Sequence, residues 1–155
     1  MTRMTRIFTD LKHLQKGTYV LVLRLPRTRS IQVGKLGKFD FRPGYYLYVG
    51  SAFGPGGLGA RLKHHLKTFA RPHWHIDYLR RAAALEQVWY SEDEIPCEHD
   101  WANRLQALPG VAIPAMGFGA SDCACQSHLF YFSRLPSKQL FEGAKRMTEN
   151  SKQQQ

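Results

Sequence analysis

Apolar and polar positions change their period several times along the chain, and each change marks an element. Thr18 to Leu25 (TYVLVLRL) is almost unbroken in apolar and β-branched residues and predicts a central strand, closed by Pro26. A short Ile31 to Val33 run lies among Arg24, Arg27, Arg29, Lys35, Lys38 and Arg42, with Asp40 as the only acid between Arg24 and Arg42. This pattern predicts a basic β-hairpin, serving either to grip a polyanion or simply as a solvated edge whose lysines discourage pairing. After the Arg42-Pro43-Gly44 turn, Tyr45 to Val49 predicts a strand with Tyr46 and Tyr48 on one face and Leu47 and Val49 on the other. A glycine cluster follows, and then Leu58, Leu62, Leu66 and Phe69 recur at helical spacing. Arg71-Pro72 ends that helix, and HWHIDYLRRA fits either a short helix or an ordered loop. Leu85 to Tyr90 predicts a third main strand. Trp101, Leu105 and Leu108 place a second amphipathic helix over Glu98 to Leu108, and HLFYF, after a Gly/Pro-rich loop, predicts a last strand. Residues 1–16 form an arm or short helix, and the segment from 136 to 155 reads as a frayed polar tail. The whole predicts one mixed α/β (α+β) domain over 17–135, with a small, mostly antiparallel central sheet flanked by helices.

Composition adds a direction. The 155 residues suffice for one domain with a real core, and the formal charge is +10. Through Arg81 there are sixteen Lys/Arg against three Asp/Glu; beyond it there are six against nine. A basic half of this kind points to a polyanionic partner. No apolar run has the length of a signal peptide core or a membrane span, so the expectation is a cytoplasmic protein without a membrane partner. Three cysteines are an odd number, which argues against a disulfide framework.

The junction from Tyr45 to His65 concentrates the chemistry. A strand end, glycine-shaped backbone and a helix start meet there, an arrangement suited to phosphate, and Arg61 and His65 lie one turn apart on the helix. At the start of the later helix Glu98 precedes Trp101 and Leu105 by three and seven positions, which aims its carboxylate along the apolar stripe. A carboxylate held there is costly unless a cation binds it. His75 and Asp77, beside Trp74, read either as a brace for this site or as a packed corner.

Gly17-Thr18-Tyr19 and Tyr48-Val49-Gly50, in that order and followed by Arg61, His65 and Glu98, resemble the GIY-YIG nuclease domain. HWHIDYL (His73 to Leu79) and SDCACQSHLF (Ser121 to Phe130) are similar to a subgroup of small GIY-YIG-like proteins, found alone or fused to DNA-repair glycosylases. The resemblance covers about Gly17 to Ser133 and departs from the family in the long basic excursion between the two tripeptides. It implies a metal-dependent endonuclease acting on nucleic acid, DNA before RNA, with a role and a partner in DNA repair. Tyr48 is then the general base and Tyr19 its neighbour and substitute. Arg61 is the phosphate clamp, His65 an orienting or relaying group, and Glu98 the ligand of Mg2+ or Mn2+. Gly50, Ser51, Lys63, His75 and Arg42 are the residues expected to contact substrate. The alternative is a module that binds nucleic acid through the same basic face without cutting it.

Two further patterns compete for attention. Cys97, Cys123, Cys125 and His128 offer the donors of a possible structural Zn2+ site, although their spacing is unlike a standard finger. Gly54, Gly56 and Gly59 imitate a dinucleotide fingerprint, but no βαβ pattern continues from them. His64 is expected to sit on the solvated side of its helix.

Overall fold

The apolar run after Gly17 is the middle of the sheet, and its neighbours explain why it carries almost no polar residue. The computed structural model describes residues 11–67, 71–120, 125–137 and, for the backbone, 145–148. Strand β1 (Gly17–Leu25) pairs antiparallel with β4 (Gly44–Ala52) on one side and with β5 (Ala84–Ser91) on the other. Strand β6 (Leu129–Phe132) extends the sheet beyond β4, and β7 (Lys145–Thr148) extends it beyond β5. The order is β6-β4-β1-β5-β7, with each neighbouring pair antiparallel, so the fold is α+β as expected and, among the described residues, no βαβ unit stands behind the glycine cluster. Between β1 and β4 the chain makes a separate hairpin of β2 (Arg29–Val33) and β3 (Gly37–Phe41), on which Arg29, Lys35 and Lys38 are exposed while Val33 and Phe41 are buried.

Alternation along the strands builds two cores. Tyr19, Leu21, Leu23 and Leu25 of β1 point to one face with Tyr46 of β4 and Tyr131 of β6. That face is covered by Leu58 and Leu62 of α1 (Gly57–Leu66), by Ile76 and Leu79 of α2 (His75–Arg80), and by the hairpin residues Val33 and Phe41. Val20, Val22, Leu47, Val49, Trp89 and Phe130 point to the other face, under Trp101, Ala102 and Leu105 of α3 (Glu98–Gln106). With both faces covered, β1 has no wet side along its buried run, and its one exposed residue is Arg24 near the end of the strand.

One open alternative is settled and two expectations change. The HWHIDYLRRA segment resolves into a six-residue helix, α2, because Asp77 accepts hydrogen bonds from the backbone N–H groups of His73 and Trp74 at 2.9 Å each. The second amphipathic helix stops at Gln106, and Leu108 still packs on the core from the turn that follows. The polar tail contributes β7 to the sheet, where backbone pairing with Gln87 to Tyr90 needs no apolar side-chain pattern to be recognised. Phe69, most of the N-terminal arm and the rest of the tail lie outside the described residues.

Candidate functional site

A groove of about 440 Å³ opens where the ends of β4, α1, α2 and α3 converge. Tyr48 and Ser51 of β4, Arg61 of α1, Trp74 and His75 at the start of α2, and Glu98 of α3 line it, with His73, His99, Gly119 and His128. Three of the residues expected to do chemistry, Tyr48, Arg61 and Glu98, therefore share one cleft, as do Ser51 and His75 from those expected to touch substrate.

Arg61 is fixed from two sides. Its Nη1 donates to the Ser51 carbonyl at 3.1 Å, and its guanidinium carbon lies 4.4 Å from the centre of the Trp74 ring. The stacked, part-bonded guanidinium keeps its plane defined and retains N–H groups for an anion. A second cavity of about 250 Å³ is lined by Arg61 and Trp74 together with Gly54, Pro55 and Gly57.

Tyr19 and His65 stand behind the groove rather than in it. The Tyr19 hydroxyl and His65 Nε2 are 2.8 Å apart, and both residues are buried. Burial, with smaller contributions from His64, Arg61 and Arg80 against an opposing one from Asp77, lowers the His65 pKa to about 3. The ring is thus neutral at working pH, a hydrogen-bond partner that orients the phenol. Burial and the neighbouring Tyr48 push the Tyr19 phenol well above its ordinary value, against the charge and hydrogen bond of Arg61. Tyr48, 6.5 Å from Tyr19 between ring centres, is also raised, first by burial and then by the Glu98 charge.

Gly50 faces the Tyr19 ring across the β1–β4 ladder, and a Cβ there would come within 2.4 Å of the Tyr19 Cζ and hydroxyl. Its expected substrate contact gives way to a packing role. Arg42 and Lys63 do not line the groove. The Arg42 guanidinium lies 4.4 Å from the Tyr131 ring centre, beyond the opposite end of β4, and Lys63 is exposed on α1. Nor does the glycine cluster present α1 to the groove. The Leu58 N–H donates to the Gln15 carbonyl at 3.0 Å, and Gly56 and Gly57 adopt φ of 85° and 58° to make the turn against that backbone.

His64 is not solvated as expected. Its Nε2 lies 3.0 Å from Asp77 Oδ1, and its ring packs edge-on against Trp74 at 4.5 Å. Burial alone would raise Asp77, but the N–H groups of Trp74 and His73 and the His64 contact outweigh it and hold the carboxyl below its ordinary value. His75 braces a second loop, its Nδ1 accepting from the Gly119 N–H at 2.8 Å. The HWHID segment thus forms a rigid corner that also supplies groove wall.

Of the expected zinc donors, Cys125 and His128 come together. Among the described residues the Cys97 thiol does not join them but donates to the Ile95 carbonyl at 3.2 Å, and Cys123 lies outside the described residues. Cys125 and His128 are joined instead by His99, a residue that sequence reasoning passed over although it directly follows Glu98. His128 Nδ1 also lies 3.4 Å from Glu98 Oε2.

Residues 18–150 match the family described as a domain of unknown function, DUF123. The chain belongs to that family. Neither a curated protein nor a solved structure matches it. Among the described residues, no helix is long and apolar enough to cross a membrane.

Proposed function

We propose that this member of the family is a metal-dependent phosphodiesterase acting on nucleic acid, DNA before RNA, in the manner of the GIY-YIG nucleases that its motifs resemble. The observation that supports this most is the meeting of Tyr48, Arg61 and Glu98, from three elements, on the wall of one groove in a protein of formal charge +10. Glu98 fits a divalent ion. Its side chain is 24% exposed, and the basic side chain that stands within ion-pair distance of it among the described residues is His128 rather than an arginine or lysine. One carboxylate, with water and substrate phosphate completing the sphere, is a common way to hold Mg2+ or Mn2+. When bound, such an ion neutralises charge on the phosphate and stabilises the leaving oxygen.

The chain's own residues have distinct tasks in this reading. Arg61, its guanidinium held in orientation by Trp74 and the Ser51 carbonyl, binds non-bridging phosphate oxygens through its remaining N–H groups. Tyr48, on the groove wall, takes a proton from the attacking water as its phenolate, after its own proton has passed to solvent. Burial and then the Glu98 charge hold the phenol high, so that ionisation requires the Glu98 charge to be offset. Tyr19, tied to His65 and out of the groove, positions Tyr48 by packing rather than meeting substrate.

The test is cleavage of duplex, nicked, flapped and branched DNA and of RNA with Mg2+ or Mn2+. The reading expects cleavage by the native protein and its loss in both Glu98→Gln and Arg61→Ala, with circular dichroism unchanged. Cleavage that survives both substitutions refutes the site. Salt-sensitive binding with no cleavage of any of these substrates replaces it with a binding module.

A further inference from the structure

The donor atoms beside Glu98 are not those a magnesium ion selects. His99 on α3, and Cys125 and His128 in the loop before β6, each offer one ligand atom, and these lie within 4.8 Å of one another. His99 Nδ1 and Cys125 Sγ are already 3.1 Å apart. Ligands of a tetrahedral zinc, with Zn–N near 2.0 Å and Zn–S near 2.3 Å, are separated from each other by about 3.5 Å, so little movement closes the set. Imidazole and thiolate are donors for zinc-class ions, whereas Mg2+ takes oxygen.

The site is also built before any ion arrives. The His128 N–H donates to the Phe118 carbonyl at 2.8 Å, and its carbonyl accepts from the Val49 N–H at 2.9 Å, clamping this residue between β4 and the neighbouring loop. Gln126 is held on both sides, its carbonyl by the Gly117 N–H at 2.7 Å and its side chain by Gln106 of α3 at 2.9 Å. Two intervening residues place Cys125 and His128 at a chelating separation, and the helix brings His99 to them.

We propose that His99, Cys125 and His128 form a three-ligand site for a Zn2+-class ion on the wall of the groove, next to Glu98. An ion there cross-links the first turn of α3 to the loop before β6 and so fixes the Glu98 carboxylate in place. This inference does not depend on phosphodiester cleavage, because it is read by metal binding.

The experiment uses the full chain, reduced and stripped of metal by a chelator, titrated with Co2+ alone. The expected result is a near-ultraviolet thiolate-to-cobalt charge-transfer band that saturates at one equivalent, with visible bands of tetrahedral intensity, and that Zn2+ abolishes by displacement. Cys125→Ser should lose the charge-transfer band. His99→Ala, whose side chain is exposed and so leaves the fold intact, should weaken cobalt binding by more than about tenfold. Cys97→Ser should change neither. A chain that shows no saturable band, a band that survives Cys125→Ser, or affinity unchanged in His99→Ala overturns the proposal.

Discussion

Acid should remove a measurable share of this protein's stability through one residue, His65. The ring is buried, at 1% exposure, and its pKa falls from the ordinary 6.5 to about 3. In the unfolded chain the same ring protonates near its ordinary value, so lowering the pH below that point stabilises the unfolded state while the folded state still refuses the proton. The contribution of neutral His65 to stability is therefore complete above the ordinary value and is lost as pH falls toward the folded one. Between pH 7 and pH 4 a single group with these two values costs about 3 kcal/mol, a large share of the roughly 5–15 kcal/mol by which domains are stable. Urea denaturation followed by tryptophan fluorescence at pH 7, 6, 5 and 4 measures it, with His65→Gln as comparison. The glutamine amide reaches toward the Tyr19 hydroxyl as Nε2 does but does not titrate. The variant should start less stable and then lose about 3 kcal/mol less than the native chain over the same range. Parallel pH profiles for the two proteins would show that His65 is not the buried neutral group described.

Three other outcomes follow from the geometry. Gly50→Ala forces a methyl group against the buried Tyr19 ring and should lower stability by about 1–3 kcal/mol in the same urea assay, with Gly54→Ala, where a Cβ meets nothing within 4 Å, close to neutral. Asp77→Ala removes the acceptor for two backbone N–H groups and the partner of His64, and should cost about 1–3 kcal/mol, whereas Asp77→Asn, which keeps one acceptor oxygen, should cost less. In the cleavage assay Arg61→Lys should retain less than about a tenth of native activity despite its conserved charge, because an ammonium offers neither a planar fork for the phosphate nor the stack on Trp74; native rates in Arg61→Lys would refute the clamp.

Where the sequence was legible, the reason is periodicity. Thr18 to Leu25 could only be a strand covered on both faces, and the split of Tyr46 and Tyr48 from Leu47 and Val49 holds in the two cores. Trp101 and Leu105 likewise announce the buried stripe of α3. What was illegible depends on contacts between distant segments. Nothing local to His64 says that Asp77 will swing under it, and nothing in the order of the cysteines says that His99 rather than Cys97 will face Cys125. The groove residues His73, His99 and Gly119 were missed for the same reason, each being brought in by a turn of chain whose path only packing decides. Gly50 shows the converse: a motif glycine near a reactive region invites a phosphate, but the ring across the ladder already occupies the space.

Strand β7 has a practical consequence for anyone trimming the chain. It shields the backbone of Gln87 to Tyr90 along its four paired residues. A shortened version that stops before Lys145 would leave that rim of β5 with open amides and carbonyls, ready to recruit a neighbouring molecule, and so would exchange a closed border for the beginning of an aggregate.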